Sequence, residues 1–152
     1  LSAFTRLLDM GVEPFLVASS VRAVQAQRLV RRLCDRCARP AEPPQAVLEV
    51  ARQLRERYRE LLDTDAKWRV PEGCPHCRGS GYLGRIGIYE LVEVGTALQN
   101  AIMQRATAAE MVGIARQDGY RSLREDGLIK AWRGMTSVDE VLRVTGIDQG
   151  EE

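Results

Sequence analysis

Two pairs of cysteines carry the strongest chemical signal in the chain. Cys34-Asp35-Arg36-Cys37 and Cys74-Pro75-His76-Cys77 are C-x-x-C pairs with 36 residues between them. Two intervening residues let one tight turn aim both sulfurs at a common centre, and two such turns complete a tetrahedral site with Zn–S distances of about 2.3 Å. The expected ligands are therefore Cys34, Cys37, Cys74 and Cys77, and the expected cofactor is a structural Zn2+. Four thiolates fill the coordination sphere, whereas a catalytic zinc keeps one position for water or substrate. A redox pair, a disulfide or a degenerate metal site are the competing readings. A redox C-x-x-C precedes the helix of a βαβ pattern, which is missing here, and two pairs together favour shared coordination. Disulfides belong to oxidising compartments, and nothing in the sequence points to export. His76 is the single histidine and lies inside the second pair, but four thiolates saturate the site without it.

Other chemistry is missing from the sequence. There is no G-x-x-x-x-G-K-[S/T], and neither lysine, Lys67 or Lys130, follows a glycine-rich loop, so the chain has no P-loop of its own. With one histidine, placed at the cysteine site, a Ser-His-Asp arrangement is not legible either. No catalytic residue and no cofactor-binding residue besides the cysteines is expected. Arg22, Arg28, Arg31, Arg32, Arg36 and Arg39 crowd a stretch whose one acid is Asp35. A zinc with four thiolates carries a net charge of about −2, which such a field would balance. Nucleotide phosphates, anionic lipid or an acidic partner are the other possible counterparts. The chain as a whole has a formal net charge of +1 and 5% aromatic residues, which argues against a dedicated nucleic-acid binder.

The elements that must position the cysteines can be read from periodicity. At 152 residues, 45% apolar and 28% charged, the chain has one domain's worth of length and enough apolar content for a core. No apolar run approaches the roughly 18 residues of a membrane helix. It starts at Leu1 without a signal-peptide pattern, and the expectation is a piece of a longer protein. Residues 2–10 read as a helix ended by Gly11, and residues 14–24 as a second helix opened by Pro14. Residues 25–33 read as a strand. After a proline-bounded linker over 40–44, residues 45–62 place Val47, Val50, Ala51, Leu54, Tyr58, Leu61 and Leu62 on one stripe of an amphipathic helix. Glycines at 73, 79, 81, 84 and 87 mark turns, and residues 85–92 follow as a strand. Thr96 with Gln99, Thr107 with Glu110, Ser122 with Glu125 and Ser137 with Glu140 then read as four capping boxes, each opening a short helix. Gly119, Gly134 and Gly146 stand where three of these helices should end.

In order along the chain, Thr5-Arg6-Leu7-Leu8-Asp9-Met10-Gly11-Val12-Glu13-Pro14-Phe15, Ala26-Gln27-Arg28-Leu29-Val30-Arg31, the paired cysteines, Gly81-Tyr82-Leu83-Gly84-Arg85-Ile86-Gly87-Ile88-Tyr89-Glu90 and Leu123-Arg124-Glu125-Asp126-Gly127 resemble the C-terminal part of the type II secretion and type IV pilus assembly ATPases. The resemblance covers nearly the whole chain. It implies an α+β fold: the end of a RecA-like P-loop ATPase core carrying an inserted tetracysteine zinc module and a C-terminal helical bundle. The implied segments are 1–33 for the end of the core, 34–80 for the zinc module with its helix at 45–62, 81–95 for a returning core strand, 96–148 for the helices and 149–152 for an acidic tail. The four cysteines match the family's zinc ligands, and the spacing between the pairs is longer than is typical there. The resemblance implies a hexameric cytoplasmic ATPase that drives pseudopilus or pilus assembly at the inner membrane, with type II secretion as the first reading. ATP and Mg2+ would be bound by the parent chain, outside the residues present here. Neighbouring subunits of a homo-hexamer and inner-membrane platform and adaptor proteins are the implied partners; peripheral membrane association is compatible, and no nucleic acid is expected. Two further readings compete. The run from Cys74 to Gly81 spells the C-x-x-C-x-G-x-G of a chaperone-type zinc module, but Cys37 is followed by no such glycines. A zinc-ribbon nucleic-acid binder is the other, motivated by the arginine run.

Overall fold

The structure, a computed structural model, describes residues 1–146; the expected acidic tail at 149–152 lies outside them. The described residues form an α+β arrangement of seven α-helices, one 3-10 turn and four strands.

The helix α1 (Ser2–Asp9) buries Phe4 and Leu8, and Gly11 follows it at φ +85°. The next helix, α2 (Pro14–Ser20), starts with its proline in the first turn. It stops at Ser20 rather than at residue 24, because Val21 takes extended backbone and leads into β1 (Ala23–Leu33). The β-branched Val21 and Val24 suit the extended backbone better than a last helical turn. After β1 come β2 (Arg39–Pro40), α3 (Gln45–Arg57), β3 (Arg69–Val70), a 3-10 turn (Pro75–Cys77) and β4 (Tyr82–Glu93). Strand β1 pairs with β4, and β2 pairs antiparallel with β3, with Arg39 opposite Val70 and Pro40 opposite Arg69. The expected strands at 25–33 and 85–92 are thus both present and paired, and each is longer than periodicity suggested.

Helix α3 ends at Arg57, five residues before the expected 62. Tyr58 leaves helical geometry at φ −122° and ψ 50°. The N–H groups of Leu61 and Leu62 both turn back to the Tyr58 carbonyl, at 2.9 and 3.1 Å, so Leu62 still reaches the core at 2% exposure.

Four helices complete the described chain: α4 (Thr96–Met103), α5 (Ala108–Gln117), α6 (Leu123–Trp132) and α7 (Val138–Thr145). Thr107 and Glu110 form the expected reciprocal capping box of α5. Ser137 caps α7 by accepting from the Glu140 N–H, yet the Glu140 carboxylate does not return to the cap and is used elsewhere. Thr96 is the first residue of α4, whose N-cap is Gly95, so it does not cap as expected. Gly119, Gly134 and Gly146 follow helices at φ +84°, +72° and +75°, in the left-handed region where glycine is favoured.

The described chain divides into two compact units whose boundaries fall within β1 and β4. The first comprises residues 1–26 and 90–122. Its core joins Phe4, Leu8, Val17, Val92, Leu98, Ile102, Met111 and Tyr120. The second comprises residues 27–89 and the described residues from 123 onward. Its core joins Ala51, Leu54 and Leu62 to Leu128, Ile129, Trp132 and Val141. The described residues of 96–148, one helical segment by the resemblance, fall in both units. The helix between the cysteine pairs packs on α6, where Trp68 and Trp132 meet edge to face at 5.5 Å and the Trp132 indole N–H donates to the Thr64 carbonyl at 3.1 Å.

Candidate metal centre

The first cysteine pair stands immediately after β1 and the second is separated from β4 by residues 78–81, both within the second unit. The Cys34 N–H donates to the Gly81 carbonyl at 2.9 Å, which ties the two strand ends together. In the first turn the Ala38 N–H closes back on the Cys34 carbonyl at 3.0 Å. In the second, Gly79 closes on the Cys74 carbonyl at 2.9 Å after Arg78 and Gly79 have both taken positive φ, 56° and 79°. Gly73 and Gly81 could be no other residue without distortion. A β carbon on Gly73 would meet the Gly79 carbonyl oxygen at 2.5 Å, and one on Gly81 would meet Pro71 Cβ at 2.4 Å.

These turns bring the four predicted cysteines together, with all four sulfurs within 4.8 Å of one another. Sγ separations are 3.9 Å for Cys34 and Cys74, 3.8 Å for Cys37 and Cys77, and 3.7 Å for Cys74 and Cys77. A tetrahedron with metal–sulfur bonds of about 2.3 Å has edges of about 3.8 Å, so the donor set fits a tetrahedral, thiophilic cation. Cys34 and Cys77 are buried, and His76 is exposed and outside the cluster.

The local electrostatics favour the same occupant. Burial works against ionising Cys77, but the N–H groups of Cys74, at 3.2 Å, and Gly81, at 3.1 Å, outweigh it and take this thiol down to about 6. At Cys37, burial and the neighbouring sulfurs prevail over one bond from Gly73 and push the thiol up to about 12. Four adjacent thiolates repel one another, and a divalent cation at their centre removes that penalty.

Sequence reasoning missed a highly bonded polar group in this unit, Glu140. Its side chain is 0% exposed and accepts five N–H bonds. Arg31 gives its main-chain N–H at 2.9 Å, Nε at 3.0 Å and Nη2 at 2.8 Å. Arg143 gives Nε at 2.9 Å and Nη2 at 2.7 Å. Although burial opposes ionisation, these bonds hold the carboxyl down at about 2. The i,i+3 spacing to Arg143 was the available signal, since a capping box accounted for Glu140 locally. The arginine run is partly absorbed by the same helix: besides Arg31, Arg28 donates to the Val144 carbonyl near the end of α7. Arg32, Arg36 and Arg39 are exposed.

The Leu123–Gly127 motif also has a structural account. Asp126 is buried, accepts the Tyr89 N–H at 3.0 Å and pairs with Lys130. Gly127 packs directly against Val141 of α7, leaving no room there for a β carbon. No helix among the described residues is long and apolar enough to cross a membrane.

The family model described as Type II/IV secretion system protein matches residues 1–143. The type IV pilus assembly ATPase PilB of Pseudomonas aeruginosa is 45% identical over 141 residues, which cover 93% of this chain and 24% of that protein. The type II secretion system protein E of Aeromonas hydrophila is 42% identical over 153 residues, covering 97% of this chain and 28% of its own length. The type II secretion system ATPase E of Vibrio cholerae is 43% identical over 147 residues, covering 94% and 27% respectively. The chain spans about a quarter of the length of these curated relatives.

Proposed function

We propose that this chain, which belongs to the type II/IV secretion system protein family, is the metal-braced C-terminal part of a cytoplasmic ATPase that powers pseudopilus assembly in type II secretion. The observation that carries the reading is the four-sulfur cluster at the junction of β1 and β4, in a chain matched by the family over residues 1–143. Cys34, Cys37, Cys74 and Cys77 would hold one Zn2+, which when bound supplies a cross-link between the two strand ends and no reacting group. The strands β1 and β4 would continue a RecA-like core whose P-loop, ATP and Mg2+ lie in the parent chain. The residues present here would have a mechanical part: α3, α6 and α7 share one apolar core, and this body would pass on nucleotide-driven movement as a rigid piece. The parent would act as a homo-hexamer against inner-membrane platform and adaptor proteins.

A role in type IV pilus assembly is the second reading, supported by the 45% identity to PilB of Pseudomonas aeruginosa. Both readings are tested by replacing Cys34 and Cys37 with serine in the full-length protein and complementing a strain that lacks it. The expected result is loss of exported enzyme, or of surface pili under the second reading, with nucleotide binding retained. Normal export and normal piliation in the variant would overturn the mechanical role.

A further inference from the structure

We propose that Glu140 is a positioning residue for the tetracysteine centre, clamping the strand roots from which the metal ligands hang; the inference rests on the zinc reading above. Residues 135–140 hold the end of β1 through three of its main-chain polar groups. The Leu33 N–H donates to the Met135 carbonyl at 3.0 Å, the Thr136 hydroxyl donates to the Arg31 carbonyl at 2.8 Å, and the Arg31 N–H donates to Glu140 at 2.9 Å. Cys34 is the next residue along.

The same clamp reaches the second cysteine pair. The Arg31 guanidinium, held by Glu140, lies 4.1 Å from the centre of the Tyr82 ring. The Tyr82 hydroxyl is 2.7 Å from Ser137 Oγ, which also accepts the Glu140 N–H at 3.2 Å. Tyr82 directly follows Gly81, the residue that donates to Cys77 Sγ and accepts from the Cys34 N–H. The Glu140 carboxylate thus holds β1 directly through Arg31 and reaches β4 through the Arg31 guanidinium over Tyr82, while the Glu140 main-chain N–H adds the contact to Ser137.

Core stability alone does not account for this arrangement. A buried carboxylate with arginine partners often adds no more stability than an apolar side chain of similar volume, and its distinctive return is fixed geometry. Groups that orient ligands from outside the coordination sphere typically change metal affinity about 10- to 100-fold when removed.

The test uses the zinc-loaded chain and compares Glu140→Leu, Glu140→Gln and Val141→Ala. Val141 lies in the core on the same helix and makes none of the clamp's bonds. Zinc affinity is measured by competition with a chromophoric chelator, and site geometry by the thiolate-to-metal absorption of the Co2+ form. Glu140→Leu is expected to raise the zinc dissociation constant by about 10- to 100-fold and to perturb the Co2+ bands. Glu140→Gln keeps one acceptor and should show a smaller rise in the same direction. Val141→Ala should lower thermal stability with the zinc dissociation constant within about threefold of the parent. A folded Glu140 variant that keeps parental affinity overturns the clamp, as does an equal loss in Val141→Ala. If Glu140→Leu does not fold, Glu140→Gln decides by the same criterion. A parent chain that takes up no zinc overturns the zinc reading and the clamp together, whereas a zinc-binding parent with indifferent variants overturns the clamp alone.

Discussion

A β carbon on Gly127 would fall 2.6 Å from Cγ1 of Val141. The contact joins two helices at a point where one has no side chain and the other has a stiff, branched one that is fully buried. Glycine is unfavourable inside a helix by roughly 1 kcal/mol relative to alanine, so its use in α6 reflects close approach rather than propensity.

Gly127→Ala is accordingly expected to destabilise the second unit. Overpacking of about 1–3 kcal/mol against Val141 offsets the propensity gain of roughly 1 kcal/mol, leaving a net loss of up to about 2 kcal/mol in denaturant unfolding. Adding Val141→Ala should recover part of that loss, and a double-mutant cycle with no coupling between the two positions would refute the packing account.

Glu140 makes stability depend on acid in a defined window. Its carboxyl sits at about 2 in the folded chain against an ordinary 4.5, so the contribution is complete above about pH 4.5 and is lost as pH falls towards 2. The shift corresponds to roughly 2–3 kcal/mol once screening at the half-exposed Arg31 and Arg143 side chains is allowed for. The stability gap between parent and Glu140→Gln should be widest at neutral pH and close by about pH 2; a gap constant with pH contradicts this account.

Two glycines of the second cysteine turn should differ in tolerance. Gly79 at φ +79° has open space where a β carbon would go, so Gly79→Ala meets only the left-handed strain of about 1–2 kcal/mol. Gly81 at φ +75° adds a 2.4 Å clash with Pro71 and carries the N–H that meets Cys77 Sγ. Gly81→Ala should therefore weaken metal retention more than Gly79→Ala in a chelator assay, because relief of the clash moves its N–H away from Cys77 Sγ. Equal effects would mean that this hydrogen bond and contact do not shape the site.

The helix between the cysteine pairs is expected to be part of the core. Leu54 is 4% exposed and Val50 is 41% exposed on the same helix. Leu54→Ala should cost about 2–4 kcal/mol of unfolding free energy and Val50→Ala about 0.5 or less. Similar small losses for both would show the helix undocked.

How much of this was legible in the sequence depends on the range of the interactions involved. The cysteine cluster was readable because two-residue spacing within each pair dictates a local turn, and sulfur chemistry supplies the common centre. Pro14, Gly11, Gly119 and Thr107 marked helix ends because their backbone preferences act within a few residues. Val21 was misplaced where periodicity ran past a boundary set by extended backbone, and Thr96 where a capping-box spacing fell one residue inside a helix whose N-cap is Gly95. Glu140 was invisible for a different reason. Its main partner, Arg31, lies 109 residues away, and a capping box explained it locally. The packing of α3 on α6 was hidden likewise, since an amphipathic stripe specifies that a helix is covered and not what covers it.

The central claim is most directly tested by metal analysis of the chain purified under reducing conditions. The account predicts one zinc per chain, lost on replacing Cys34 and Cys74 with serine, a tetrahedral four-thiolate spectrum in the Co2+ form, and loss of structure in the second unit on chelation. Absence of bound metal, or a fold unchanged by chelators, would contradict it.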